Sequence, residues 1–384
     1  MKLANFDVSI AELVLGAILH DIGKPIQRAD SNPRSKNHSL FGADKFQEII
    51  NGTNIDSSSE LYTKLQAIKE SIKKHHASMI RDAGHFTESN SNYEFSPLFW
   101  LVFEADNIAA AHDREELKNL IDEDGFKLME TDEKVKNKFD QYRRLNSPFT
   151  YLKRPKINSE ESKKIFYDLW YNTNKSKNRF DLSNQLDYPY PEHNPQESFN
   201  SNAKSKYEEI TSIIEKNVLK TLIDFYQDET VKKNQYSELC KVNYIIKQLE
   251  ELLSYVPPDT YTGNVNDVSL YDHLKLTAAV ASCLYYYLIN KEDKNWYLNT
   301  NLSKTNYREC SAYRLVKIDL SGIQDFIYSI STKYALKALR AKSLYLELIL
   351  QIFSEQILEN FELSIANLLY LGGGGAILLL PNLE

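Results

Sequence analysis

The stretch LGAILHDIGK, residues 15–24, places an imidazole and a carboxylate side by side, as His20 and Asp21, after an apolar run. Adjacent His and Asp side chains suit a divalent transition metal, but they also occur as the polar end of an ordinary helix. Gly23 is expected to end this helix just before Lys24. Upstream apolar residues recur with the spacing of one helix face and predict the helix that delivers the pair; they are Ile10, Leu13, Val14, Ala17 and Ile18.

Composition and charge exclude several classes of protein. A chain of 384 residues with 42% hydrophobic residues is long enough for more than one packed domain. The mean hydropathy of -0.47 argues against membrane spans, and Asp7 and Glu12 interrupt the N-terminal region where a secretory signal would be apolar. The three cysteines are far apart, so we expect no disulfide framework and a reduced, cytoplasmic setting. A net charge of -7 limits nucleic-acid binding to local patches or partner proteins.

Histidines on the next two predicted helices supply further ligands. A polar stretch over residues 27–37 predicts an exposed loop, after which NHSLFGADKF begins a helix with His38 near its first turn. A third helix, whose apolar stripe includes Leu65 and Ile68, leads directly into His75 and His76. Neighbouring residues on a helix are turned by about 100°, so the two imidazoles reach one point only if the helix ends there.

An aspartate and a histidine on later helices complete the set. Asp106 shares a helix face with apolar residues in FSPLFWLVFEADNIAAAHD, and a buried carboxylate needs a cation or several donors. His273 lies in the first turn of a helix that Asp267 or Ser269 caps. A lone histidine there is often an ordinary core residue, but the other candidates give it a second interpretation as a ligand.

The middle of the chain differs from both ends. Residues 116–205 are rich in charge, Asn and Ser, which predicts a loop-rich insertion or linker. A basic portion from Lys134 to Arg179 has interleaved tyrosines that suit a nucleic-acid backbone or a protein partner. Because acidic residues are mixed in, a solvated surface is the favoured interpretation.

The last block predicts an α/β unit. A buried strand over residues 315–320 passes through Ser321 and Gly322 into a helix, a long amphipathic helix follows, and GGGG at residues 372–375 joins two apolar strands. This strand-helix-strand-strand order is the first half of a ferredoxin-like palm. The sequence ends at Glu384, before a second helix and last strand. We therefore expect another chain to supply the remainder of the palm, or that remainder to be missing.

Taken together, these motifs resemble the HD phosphohydrolase superfamily. In the usual order the helix with a single histidine comes first, whereas here the matching helix, YDHLKLTAAVA, comes late, so the bundle resembles a circularly permuted HD domain. With KIDLSGIQDFIY, LRAKSLYLELI and GGGG, the chain resembles the large HD–palm subunit of type III-A (Csm) CRISPR effector complexes. The expected fold is mainly α with a C-terminal α/β part. Its expected divisions are the main HD domain (1–115), the insertion (116–205), the helices completing the HD domain (206–300) and the half palm (311–384).

The resemblance implies roles for the candidate residues. His20, Asp21, Asp106 and His273 would form the core metal site, which His38, His75 and His76 would line or extend to a second ion. His20, Asp21 and Lys24 would be catalytic, with Lys24 meeting substrate phosphate. The family's HD domain cuts single-stranded DNA with manganese, nickel or cobalt, and two ions about 4 Å apart suit phosphodiester hydrolysis.

The palm half resembles the family's degenerate first palm. Active cyclases of this fold carry metal-binding acids on the hairpin that is all glycine here, and Asp319 alone cannot hold a metal pair. Without a Gly-Gly-Asp-Asp motif, cyclic oligoadenylate synthesis is not assigned to this chain alone. The hairpin is either a simple tight turn or part of an ATP contact, for which the candidates are Asp319, Ser321, Gly322, Gly373 and Gly374.

The implied partners are other Csm subunits, guide RNA, target RNA as the activating signal, and single-stranded DNA as substrate, with no membrane. Two alternatives stay open from the sequence. One is an assembly scaffold with a vestigial HD site. The other is a stand-alone HD phosphohydrolase that acts on nucleotides or cyclic dinucleotides, although the palm block argues against it.

Overall fold

The computed structural model describes residues 9–33, 35–76, 96–113, 198–227, 238–258, 268–290, 311–329 and 335–383. The described residues are mostly helical and end in a small sheet, which confirms the predicted mainly α class with a C-terminal α/β part. Most of the insertion (116–205) and its whole basic portion lie outside the described residues. Among the residues described, no helix combines the length and the apolar character needed to span a bilayer.

Eleven α-helices and three strands are present in the described residues. The N-terminal helices are α1 (Ile10–Leu19), α2 (Gly23–Ala29), α3 (His38–Asn51), α4 (Glu60–Lys74) and α5 (Ser96–Asp113). The middle helices are α6 (Ser198–Ile213), which runs through a π-helical turn (Ile214–Leu219) into α7 (Lys220–Gln227), then α8 (Glu238–Leu253) and α9 (Leu270–Asn290). The C-terminal elements are β1 (Tyr313–Asp319), α10 (Ile323–Tyr328), α11 (Ala335–Asn360), a 3-10 turn (Ile365–Asn367), β2 (Leu368–Gly372) and β3 (Gly375–Pro381).

Helix α1 is the centre of the bundle. Ser9 and Glu12 form a capping box at its start, each side chain bonding the other's backbone N–H. Every residue from Ala11 to Leu19 is buried, not only the predicted stripe, because α4, α5 and α9 all pack on it. A helix that is buried on all sides can hold its C-terminal residues in a fixed position inside the bundle.

Gly23 has a different role from the one predicted. Helix α1 ends at Leu19, and Gly23 is the first residue of α2 rather than the point where α1 is released. A Cβ atom at Gly23 would lie 1.8 Å from the carbonyl oxygen of His38. Glycine is therefore needed because α2 and α3 approach each other closely, which brings His38 next to the His20–Asp21 pair.

The predicted exposed loop over residues 27–37 is wrong at its start. Residues up to Ala29 belong to α2, and Arg28 is 2% exposed. Its Nη1 donates to the carbonyl of Pro257 at 2.8 Å and to the Tyr207 hydroxyl at 3.3 Å, and the guanidinium lies over the Tyr207 ring. Polar composition alone did not reveal a buried arginine that bonds to segments far along the chain.

The C-terminal sheet has the order β1-β3-β2, with both pairs antiparallel. Gly373 and Gly374 have φ of 58° and 83°, so both central residues of the β2–β3 turn need the left-handed region that glycine adopts readily. β1 is an edge strand, and Leu315 on it is 66% exposed, so the predicted burial of this strand is wrong.

Helix α9 connects the bundle to the sheet. His273 lies in its first turn, while further along the helix the Cys283 thiol donates to the Leu379 carbonyl of β3 at 3.5 Å. The buried amide of Asn367 donates to the carbonyls of Leu379 at 2.9 Å and Ala279 at 3.3 Å. One helix therefore contacts both the candidate site and the sheet.

Candidate metal centre

The structure brings the predicted imidazole and carboxylate ligands into one cluster, although they are distant in sequence. His20 caps the C-terminus of α1 and Asp21 follows it, while His38 begins α3. His75 caps the C-terminus of α4 and is followed by His76. Asp106 and His273 project from α5 and α9, which pack against each other.

One side of the cluster surrounds the Oδ2 atom of Asp21. His20 Nε2 lies 3.3 Å and His273 Nε2 lies 3.5 Å from this oxygen. The same two nitrogens lie 3.5 Å and 3.2 Å from Asp106 Oδ1. Two imidazoles and two carboxylates therefore converge, with their potential ligand atoms facing one another.

The other side of the cluster surrounds Asp21 Oδ1. This oxygen lies 2.9 Å from His38 Nε2 and 3.4 Å from His75 Nε2. His38 Nε2 lies 3.3 Å from His75 Nε2 and 2.9 Å from His76 Nε2. Helix α4 ends at Lys74, so the regular 100° turn no longer separates His75 from His76, and both rings reach His38. Asp21 thus joins two three-ligand groups, His20–Asp21–His273 and His38–His75–His76.

These separations match those of ligands that share an ion. Metal–nitrogen bonds of roughly 2.1 Å place neighbouring ligand atoms about 3.0 Å apart in octahedral geometry and about 3.4 Å apart in tetrahedral geometry. The ligand-atom distances around Asp21 range from 2.9 Å to 3.5 Å. The spacing of the ligand atoms therefore fits one or two divalent ions.

Backbone carbonyls orient two of the imidazoles. His20 Nδ1 donates to the Ala17 carbonyl at 2.7 Å, and His75 Nδ1 donates to the Ile72 carbonyl at 2.8 Å. A carbonyl only accepts, so each Nδ1 carries a hydrogen and each Nε2 is directed into the cluster. Sequence analysis missed these bonds, although a histidine directly after a helix, three residues beyond a free carbonyl, is a signal for them.

The charges in the cluster are strongly coupled. Although burial alone lowers the pKa of His20, the carboxylates of Asp21 and Asp106 raise it to about 9. Burial lowers the pKa of His38 to about 4 although Asp21 opposes the change, and burial together with the imidazoles of His75 and His38 lowers the pKa of His76 to about 2. Burial favours the neutral acids, yet nearby cations hold the pKa values of Asp21 and Asp106 well below their usual range.

Two buried polar atoms indicate that the cluster binds an ion, because hydrogen bonds among its own side chains do not satisfy them. His20 Nε2 and Asp21 Oδ1 have no hydrogen-bond partner of suitable geometry among the described residues. Buried polar atoms are normally satisfied, so each needs an explanation. An ion between the ligand atoms would satisfy both, because a lone pair on nitrogen and a carboxylate oxygen are metal ligands.

Lys24 borders the cluster. Its ammonium lies 2.5 Å from Asp21 Oδ2, and its side chain is 20% exposed. The backbone N–H of Lys24 also donates to the Asp21 carbonyl at 3.0 Å, because the two residues lie within one turn. The residue predicted to meet phosphate is therefore paired with a predicted metal ligand.

The predicted nucleotide-contact residues meet at one end of the sheet. Asp319 pairs with Gly375 next to the hairpin turn, and the Leu320 N–H donates to the Gly374 carbonyl at 2.9 Å. Ser321 is exposed, and Gly322 has a φ of 73° at the start of α10. Asp319 and Leu320 thus lie next to the glycine turn, and Ser321 and Gly322 follow them in the chain.

Two protein families match separate parts of the chain. The family described as HD domain matches residues 2–123, and the family described as Csm1 subunit domain B matches residues 312–384. The HD match covers most of the candidate ligands, and the domain B match covers the sheet.

Relatives match over nearly the whole chain. The CRISPR system single-strand-specific deoxyribonuclease Cas10/Csm1 (subtype III-A) of Enterococcus italicus is 32% identical over 97% of this chain and 42% of its own length. Its namesake from Streptococcus thermophilus is 30% identical over 97% of this chain and 40% of its own. Over nearly its whole length, the chain is similar to Cas10/Csm1 proteins of subtype III-A. It spans about two fifths of the length of these relatives.

A solved structure supports the same fold. A Csm1–Csm4 subcomplex in the type III-A CRISPR–Csm interference complex matches with a TM-score of 0.55 and 24% identity, covering 98% of this chain and 40% of that chain. At this identity the likeness concerns the fold. It covers both the helical bundle and the sheet of this chain.

Proposed function

We propose that this chain is the metal-dependent single-stranded DNA nuclease portion of the large subunit of a type III-A CRISPR effector. The observation that carries the proposal is the buried cluster in which each oxygen of Asp21 faces two imidazoles. Single-strand-specific deoxyribonuclease is also the activity in the names of the Cas10/Csm1 relatives.

The ligand set favours manganese, nickel or cobalt over magnesium. Imidazole nitrogens suit these ions, whereas magnesium prefers oxygen ligands and retained water. His20, Asp21, Asp106 and His273 would hold one ion, and His38, His75 and His76 would hold a second. A bound divalent ion supplies Lewis acidity, which lowers the pKa of an attacking water and offsets the charge that develops on the phosphodiester.

The surrounding residues define how substrate reaches the site. His20, His75 and Asp21 are almost fully buried, whereas the side chains of His38 and Lys24 are 17% and 20% exposed. The cluster therefore opens on the side of His38 and Lys24. A phosphodiester entering there meets the Lys24 ammonium, which gives this residue the substrate-binding role proposed for it.

The finer architecture is part of the proposal. The helices that carry His20, His38, His75 and Asp106 precede the helix that carries His273, which supports a circularly permuted HD bundle divided as predicted from the sequence. The sheet order leaves β1 at an edge, where the last strand of a complete palm would pair. The glycine hairpin beside Asp319 supports a degenerate palm that contacts ATP without catalysing cyclase chemistry.

The partners follow from the relatives. A matching structure contains Csm1 with Csm4 in an interference complex, so we propose that this chain assembles with other Csm subunits and, through them, with guide and target RNA in the cytoplasm. A scaffold with a vestigial site is a weaker alternative, because the candidate ligands lie close enough together to share ions.

A cleavage assay tests the proposed function. We expect manganese-dependent cutting of unpaired DNA by the wild-type chain and none by a His20→Ala, Asp21→Ala double variant that retains its helical circular dichroism. A duplex of the same sequence should be cut much more slowly. Equal activity in the two proteins would contradict the assignment of His20 and Asp21 to the active site. A wild-type chain that assembles with its Csm partners but does not cut DNA would favour the scaffold alternative.

A further inference from the structure

We infer that the Lys24 ammonium competes with a divalent ion for Asp21 Oδ2, and that it must leave this oxygen when the ion binds. This inference rests on the proposed function, since it concerns how the same site is loaded. It adds a positioning role for Lys24 that precedes any contact with substrate.

The geometry places Lys24 in competition with an ion for one atom. Lys24 Nζ lies 2.5 Å from Asp21 Oδ2, the oxygen that also faces His20 Nε2 at 3.3 Å and His273 Nε2 at 3.5 Å. An ion held by these two imidazoles and Asp21 would need that oxygen. An ammonium at hydrogen-bond distance from it would then lie next to a dication and be repelled.

The chain can move Lys24 without moving the ligands. The Lys24 N–H is fixed to the Asp21 carbonyl, but its long side chain is partly exposed and can turn towards solvent by rotating about its own bonds. Asp21 is held within the bundle after α1, so the carboxylate stays in place. Released from Asp21, the ammonium remains at the open side of the cluster, near the path of a phosphate.

Manganese titration of variants tests this inference. Lys24→Met should bind Mn²⁺ about tenfold more tightly than the wild type, because the lysine ammonium no longer has to be displaced from Asp21, while Lys24→Arg should stay close to the wild type. The matched control is Lys45→Met, which removes a similarly exposed lysine paired with Glu48 at 2.9 Å and Glu215 at 3.2 Å, away from the cluster. Its affinity should not change.

Amine labelling of the wild-type chain gives a readout that does not depend on a variant's folding. Acetylation of Lys24, followed by mass spectrometry, should become several-fold faster when Mn²⁺ is added, whereas acetylation of Lys45 should not. Unchanged or weaker Mn²⁺ binding by Lys24→Met, or unchanged labelling of Lys24, would overturn this inference but would not affect the proposed function. Absence of Mn²⁺ binding by the wild type would overturn the proposed function together with it.

Discussion

Asp21 is the residue on which the cluster depends, because its two oxygens face different groups of imidazoles. His38 and His75 lie near Oδ1, while His20 and His273 lie near Oδ2. A carboxylate that bridges in this way holds the two groups at a fixed separation. It also supplies negative charge in a place where burial makes charge costly.

Replacing this carboxylate by its neutral isostere should weaken metal binding strongly. We expect Asp21→Asn to weaken Mn²⁺ binding about 100-fold or more, since the negative charge and one of the two carboxylate oxygens are lost. Isothermal titration calorimetry measures the change. An affinity within threefold of the wild type would show that Asp21 is not a ligand.

The pKa of His20 predicts how metal affinity depends on pH. Because the pKa of His20 is raised to about 9 in the ion-free protein, the imidazole carries a proton at neutral pH that an ion must displace. The pKa values of His38 and His76, about 4 and about 2, leave these imidazoles neutral above pH 6. Affinity should therefore rise by up to about tenfold per pH unit from pH 6.5 to 9 and then level off.

Calorimetry in buffers of different ionisation enthalpy checks this expectation. Near pH 7.5, binding should release about one proton per ion at the His20 group. An Mn²⁺ affinity that does not change between pH 6.5 and 8.5 would contradict the claim that His20 is protonated before the ion binds and loses its proton on binding.

At the scale of elements, the approach of α2 to α3 positions the site. Gly23→Ala would place a Cβ 1.8 Å from the His38 carbonyl oxygen, so the two helices must separate. We expect a loss of about 2–3 kcal/mol in the free energy of unfolding, measured in urea, together with weaker Mn²⁺ binding. Gly52→Ala is the control, since its Cβ would come no closer than 3.4 Å to its neighbours and should change stability by less than about 1 kcal/mol. Equal effects of the two substitutions would contradict the role of Gly23.

The sequence predicted the elements better than their contacts. Apolar spacing located the helices that carry His20, His75 and His273, and Ser269 caps α9 by accepting from the Asp272 N–H at 3.0 Å, as one of the two predicted caps. Asp267, the other, lies outside the described residues. The roles of Gly23 and Arg28 were missed because each depends on a carbonyl from a distant segment. Local patterns carry propensity and periodicity, whereas contacts between segments are set by packing.

At the scale of the whole molecule, α9 ties the bundle to the sheet through Asn367. The Asn367 amide bonds to carbonyls on α9 and β3, far along the helix from His273. Asn367→Leu would remove both of these buried hydrogen bonds and should cost about 1–3 kcal/mol of unfolding free energy. Mn²⁺ affinity should stay unchanged, as judged by parallel urea unfolding and calorimetry. A large loss of affinity would show instead that the sheet controls the geometry of the site.

The central claim is that ligands from α1, α5 and α9 share a divalent ion at Asp21. Anomalous diffraction from crystals soaked in Mn²⁺ and recorded at the manganese edge tests it most directly. The account predicts a peak about 2.1 Å from His20 Nε2 and His273 Nε2 and in contact with Asp21, with any second peak among His38, His75 and His76. Well-ordered crystals with no peak near Asp21 would contradict it.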